Sequence, residues 1–69
     1  MIMETKTVAV RCKILQEREK AFEIEDRRGH RTWIPRSIIR ERMTIAGEST
    51  IKMAMWLAEE KELDYDEVD

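Results

Sequence analysis

Two charged clusters hold the side chains best placed to do chemistry in this chain. Arg27, Arg28 and Arg31 crowd a short turn, and Arg36 follows Pro35. Guanidinium groups at that density suit a phosphate backbone, so this stretch is a candidate nucleic-acid contact. Glu59, Glu60, Glu62, Asp64, Asp66 and Glu67 form a second cluster of opposite sign near the end of the sequence. A row of carboxylates can imitate phosphates and occupy a basic channel on a partner, with strong salt dependence. The plainer readings are mutual neutralisation for the arginines, and a solvated helix face and terminus for the carboxylates.

The remaining reactive groups do not assemble into a catalytic or metal centre. His30 sits beside Gly29 as a turn residue, and neither Ser37 nor Ser49 stands in a nucleophile–base arrangement with it. Cys12 is the sole cysteine, which excludes an internal disulfide, and it alternates with Val10 and Ile14 as a small core residue. His30 and Cys12 are also the only good nitrogen or sulfur ligands, too few for a zinc site. The pairs Glu23/Glu25 and Glu59/Glu60 have the spacing of a strand and a helix, not of a catalytic dyad. The expectation is a non-enzymatic protein with no cofactor and no metal.

The chain has 69 residues, 13 Lys and Arg against 15 Asp and Glu, and a formal net charge of −2. Between Arg27 and Arg42, six arginines face Glu41 alone; after Met43, eight carboxylates face Lys52 and Lys61. That polarity would give the fold a basic and an acidic face. The negative balance favours the acidic face as the working one, since nucleic-acid domains are usually basic. No apolar run approaches the roughly 18 residues of a membrane span, and no signal-like segment opens the sequence. A single intracellular, cytoplasmic domain is expected, with 64–69 as a frayed acidic tail.

The elements that must position these groups can be read from periodicity. Residues 5–16 alternate, with Val8, Val10, Cys12 and Ile14 on one side and Arg11 and Lys13 on the other, which predicts a half-buried strand. A second strand covers 21–25, with Phe22 and Ile24 inward. Asp26-Arg27-Arg28-Gly29 is a hairpin loop with Gly29 at positive φ. The returning strand, 30–34, places Trp33 or Ile34 in the core and stops at Pro35. Ser37 starts a short turn. Residues 39–45 fit an exposed strand better than a helical turn, and 46–48 turn into a strand over 49–53. Residues 54–63 are strong helix formers, predicting a helix that buries Met53, Trp56, Leu57 and Leu63. The fold class is α+β: a small, strongly curved antiparallel sheet or barrel of about five strands, SH3- or OB-like, with Trp56 of the C-terminal helix plugging one end.

The block Trp33-Ile34-Pro35-Arg36-Ser37-Ile38, followed by Met55-Trp56-Leu57-Ala58-Glu59-Glu60-Lys61, resembles small uncharacterised proteins of bacteriophages and prophages. Those carry a Trp-Ile-Pro-Lys-Ser-like block after a hairpin and a Trp-Leu-Ala-Glu-like helix at the end. The resemblance covers residues 8–63. The chain departs from it at Met53-Ala54-Met55, where proline often precedes Trp-Leu, and at Arg36, where Lys is usual. The resemblance implies a phage or mobile-element origin in a bacterial host cell. It also implies, by analogy, an anti-defence role such as that of an anti-CRISPR inhibitor. On that reading the partner is a host protein or ribonucleoprotein complex, met through the acidic half. Nucleic acid held by Arg27, Arg28, Arg31 and Arg36 is the alternative. Either role suits a monomer or small homo-oligomer.

Overall fold

The computed structural model describes residues 6–68. Its elements run β1 (Thr7–Glu17), β2 (Ala21–Asp26), β3 (Arg31–Pro35), a 3-10 turn (Arg36–Ile38), β4 (Ile39–Ile45), β5 (Glu48–Ala54), α1 (Met55–Glu60) and β6 (Asp66–Glu67). All strand pairings are antiparallel, and the main path of the sheet is β3-β2-β1-β5-β4, with β6 also on β1. β3 and β4 form the two edges, so the sheet is open and not closed into a barrel.

Alternation explains which face is buried. Val8, Val10 and Cys12 of β1, Phe22 and Ile24 of β2, Ile34 of β3, and Ile51 and Met53 of β5 share the inner face. β1 is long enough to serve two neighbours: Thr7–Cys12 pair with β5, and Cys12–Glu17 pair with β2. A register shift between Ile14 and Gln16 bends the strand, because an extra residue on one side of a ladder locally raises curvature. Leu57, Ala58 and Leu63 then close the open side of the core.

Two turns follow their residue types. Gly29 takes φ +85 in a three-residue loop, and its N–H donates to the Asp26 carbonyl at 3.0 Å. Ala46 and Gly47 both have positive φ, +52 and +81, joining β4 to β5. That is the two-residue turn whose twist matches a hairpin, although alanine fits it poorly at the first position. The exposed strand expected over 39–45 is β4.

Several expectations fail, each for a local reason. The predicted helix is shorter, because Glu62 adopts φ +57 and ends it. Leu63 N–H donates to the Ala58 carbonyl and Glu62 N–H to the Glu59 carbonyl, the Schellman arrangement that normally takes glycine at the left-handed position. Trp56 is not a plug: it is 52 % exposed, because the turn that buries Leu57 and Ala58 points their neighbour outward. Of the two β3 candidates for the core, Ile34 fills it, as one of the alternatives expected, and Trp33 is only partly buried. The Arg18 guanidinium lies over the Trp33 ring, 5.1 Å from its centroid. The segment after residue 63 is not a frayed tail through its described part. Asp66–Glu67 pair with Val8 and Ala9 of β1. Thr5 and Asp69 lie outside the described residues.

Candidate functional site

The basic turn and the acidic C-terminal strand, far apart in sequence, meet in space. The Arg27 guanidinium sits 2.9 Å from the Asp64 carboxylate and 3.5 Å from that of Asp66. Arg11 approaches Asp66 at 3.7 Å, and Lys6 approaches Glu67 at 3.3 Å. Asp64 and Asp66 hold the Arg27 guanidinium above its ordinary pKa, mainly through the hydrogen bond from Arg27 to Asp64.

Beneath these ion pairs lies Asp26, only 5 % exposed. One carboxylate oxygen accepts the N–H groups of Arg28 and His30, and the other accepts the N–H of Asp64, all at 2.9 Å. Burial acts to raise the Asp26 pKa, but the three backbone donors outweigh it and leave the group below its ordinary value. Asp26 thus fastens the hairpin loop and the C-terminal strand to one point. An Asp opening a turn predicts the local bonds to Arg28 and His30. Nothing local predicts the bond to Asp64.

The other basic candidates are engaged as well. Arg31 pairs with Glu25 at 3.1 Å. Arg36 donates to the Glu17 carboxylate and to the Arg18 carbonyl, both at 2.9 Å. Glu17 also accepts two bonds from Arg42, at 3.0 and 3.2 Å. Those of Arg42 and then Arg36 hold the Glu17 carboxyl down to about 2. The Arg36 and Arg42 guanidinium groups also lie over the Phe22 ring, at 5.6 and 5.5 Å from its centroid. Of Arg27, Arg28, Arg31 and Arg36, only Arg28 has no carboxylate partner among the described residues. A nucleic acid seated on this hairpin would have to displace carboxylates already in place. The separation into one basic and one acidic face therefore gives way to local pairing on this side.

The helix end differs. Trp56, Glu59 and Glu60 occupy i, i+3 and i+4 and so share one face of α1. Glu59 accepts a bond from the Tyr65 hydroxyl at 3.3 Å. Desolvation and the nearby Glu59 carboxylate push the Tyr65 hydroxyl pKa up. Glu60 and Glu62 have no ion-pair or hydrogen-bond partner for their side chains among the described residues. Of the six acidic candidates, then, Asp64, Asp66 and Glu67 are neutralised; Glu59 and Glu60 remain available on the helix face of the exposed Trp56, and Glu62 remains available just past the helix end. The exposure of Trp56 leaves no mark in the sequence: Met55, Trp56, Leu57 and Ala58 are all helix-compatible and apolar, with no periodicity to tell in from out.

Cys12 is buried, and desolvation pushes its thiol up to about 11, so it is protonated and unreactive at neutral pH. Among the described residues, no group of three or more His, Cys, Asp or Glu is placed to hold a metal ion. No described helix is long and apolar enough to cross a membrane. No protein family, curated protein or solved structure matches this chain.

Proposed function

We propose that the protein is a non-enzymatic binding protein that occupies a basic surface on a larger partner. Trp56 is the anchor, and Glu59, Glu60 and Glu62 are the carboxylates that meet the partner's cations. The observation that carries this reading is the 52 % exposure of Trp56 on the same helix face as two carboxylates that no cation neutralises. Exposed tryptophans are over-represented among residues that dominate binding energy, and a charged surround gives orientation and on-rate. A partner of matching chemistry presents an apolar pocket rimmed by Lys and Arg. A nucleic-acid-binding channel has such a rim, which is where the anti-defence role implied by the phage resemblance enters.

The test is capture of partners from a bacterial lysate, repeated with Trp56→Ala and with Glu59, Glu60 and Glu62 changed together to Lys. An anchor of about 2 kcal/mol corresponds to roughly thirtyfold in affinity. Both variants should lose the same partner while keeping the wild-type circular dichroism spectrum, and wild-type capture should weaken as salt rises. Retention of that partner by both variants would rule out this face.

A further inference from the structure

We propose that β4 is the seam of a symmetric dimer, in which two copies of this chain pair their β4 strands antiparallel about Met43. This does not rest on the role given to Trp56, which lies beyond the opposite end of β5.

Of the two ends of the main strand path, β4 offers the longer uninterrupted edge to another strand. β3 ends at Pro35, which has no N–H to donate. β4 has no proline, and every residue from Arg40 to Ile45 is exposed. Met43 and Ile45 are 51 % and 65 % exposed. They stand on the outer face beside Thr50 and Glu48 of β5 and line a groove of about 440 Å³ that Arg11 also borders. A row of unpaired backbone groups next to exposed apolar side chains is a template for one more strand.

The backbone phase follows from the hairpin. Ile45 and Glu48 flank a two-residue turn, so they form a hydrogen-bonded pair, and Ile45 and Met43 direct their backbone groups at β5. Arg42 and Thr44 therefore direct theirs at the open edge.

Charge and facing then select the register. A two-fold axis through the sheet keeps each residue on its own face, so it must pass through a residue and not between two. At Glu41 it sets Glu41 against its copy, and at Arg42 it sets Arg42 against its copy; like charges directly opposite are destabilising. At Thr44 the overlap shrinks and runs into the turn. At Met43, methionine meets methionine, Arg42 meets Thr44 and Glu41 meets Ile45, with no like charges opposed. Met43 becomes the non-hydrogen-bonded pair, the type that brings side chains closest, flanked by hydrogen-bonded Arg42–Thr44 pairs.

Growth stops at two copies. A register shift between Ile39 and Glu41 bends the strand beyond Glu41, and the Arg40 guanidinium turns to the Thr7 hydroxyl. An isologous contact in which the β4 of each copy covers that of the other closes on itself.

The test uses the full chain. Met43→Cys should cross-link to a covalent dimer under a mild oxidant, whereas Ile45→Cys should not, because in this register the two Ile45 positions lie roughly 14 Å apart. The wild type controls for buried Cys12. Sedimentation equilibrium should show a reversible dimer for the wild type, weakened at least about tenfold by Met43→Lys, which opposes two ammonium groups across the seam. The melting temperature of that variant at low concentration should match the wild-type monomer. A wild type that stays monomeric at every concentration, or an Ile45→Cys variant that cross-links as readily as Met43→Cys, would overturn the proposal.

Discussion

The corner where the 26–29 loop meets β6 and the end where α1 leaves β5 are both dense in charge, yet they resolve it in opposite ways. At the corner, Arg11, Arg27, Asp64 and Asp66 pair across the chain, and a buried carboxylate beneath them collects three backbone donors. At the helix end, Glu60 shares a face with the half-exposed Trp56 indole, and neither it nor Glu62 has a cation partner among the described residues. The first arrangement uses charge to join segments distant in sequence. The second leaves charge and apolar surface available, and a protein gains nothing in stability from that. Difference in pairing, and not density of charge, separates a structural corner from a candidate interface.

The largest expected effect comes from breaking the corner at its centre. Asp26→Ala removes the acceptor of three N–H groups at a position only 5 % exposed. Each charge-assisted bond contributes about 1.5 kcal/mol or more, and stranded donors add a desolvation cost. Partial solvation of the loosened loop limits the total, so a loss of about 3 kcal/mol is expected in urea denaturation at neutral pH. Hydrogen exchange at Arg28, His30 and Asp64 should accelerate together. Acceleration confined to Arg28 and His30 would mean that the C-terminal strand is held independently of Asp26.

A second substitution tests the helix end with the opposite sign. Glu62 holds a left-handed conformation, φ +57, that costs an L residue about 1 kcal/mol relative to glycine. Glu62→Gly should therefore stabilise the fold by about 1 kcal/mol while weakening partner capture. A gain in stability with undiminished capture would remove Glu62 from the interface and leave Trp56, Glu59 and Glu60.

These two positions also show where the sequence was and was not informative. The alternation of Val8, Val10 and Cys12, and of Phe22 and Ile24, is a local signal, and the strands and inner face follow from it. The stops at Gly29 and Pro35 are local too. The pairing of Arg27 with Asp64 spans 37 residues, and no neighbour of either announces it. β6 is two residues long, too short for any period to show. The helix end at Glu62 lacks the glycine that usually marks it, so the run of helix formers overstates its length. Of the proposed interface, its carboxylates were legible and its anchor was not, because exposure of Trp56 depends on how α1 rolls against β5.

A smaller effect is expected where the corner is broken at its rim. Arg27 and Asp64 both retain contact with water, and exposed pairs contribute little to stability. Arg27→Ala should cost far less than Asp26→Ala, and the difference from wild type should fade at high salt. A salt-independent loss would assign Arg27 a packing role instead of an electrostatic one.

The subtlest contrast sets Glu17 against the bare carboxylates of α1. Glu17 bridges Arg36, just after β3, and Arg42 of β4, so it ties together the regions at the two ends of the main strand path. Its carboxyl falls from an ordinary value of 4.5 to about 2, chiefly through the hydrogen bonds from Arg42 and then Arg36. A carboxyl whose pKa is lower folded than unfolded stabilises in full above the unfolded value and loses that contribution as pH falls through the folded one. The contribution of Glu17 is therefore complete above pH 4.5 and disappears on acidification toward pH 2. Asp26 is also depressed and contributes acid sensitivity of its own, so the wild-type curve alone cannot assign the effect. The difference between wild type and Glu17→Gln isolates it: Asp26 titrates equally in both, and the gap in urea midpoint should be constant from neutral pH to about 4.5 and close below it. A gap that persists unchanged to pH 2 would mean that the glutamine amide satisfies the two guanidinium groups differently but that charge at Glu17 is not what ties the edges together.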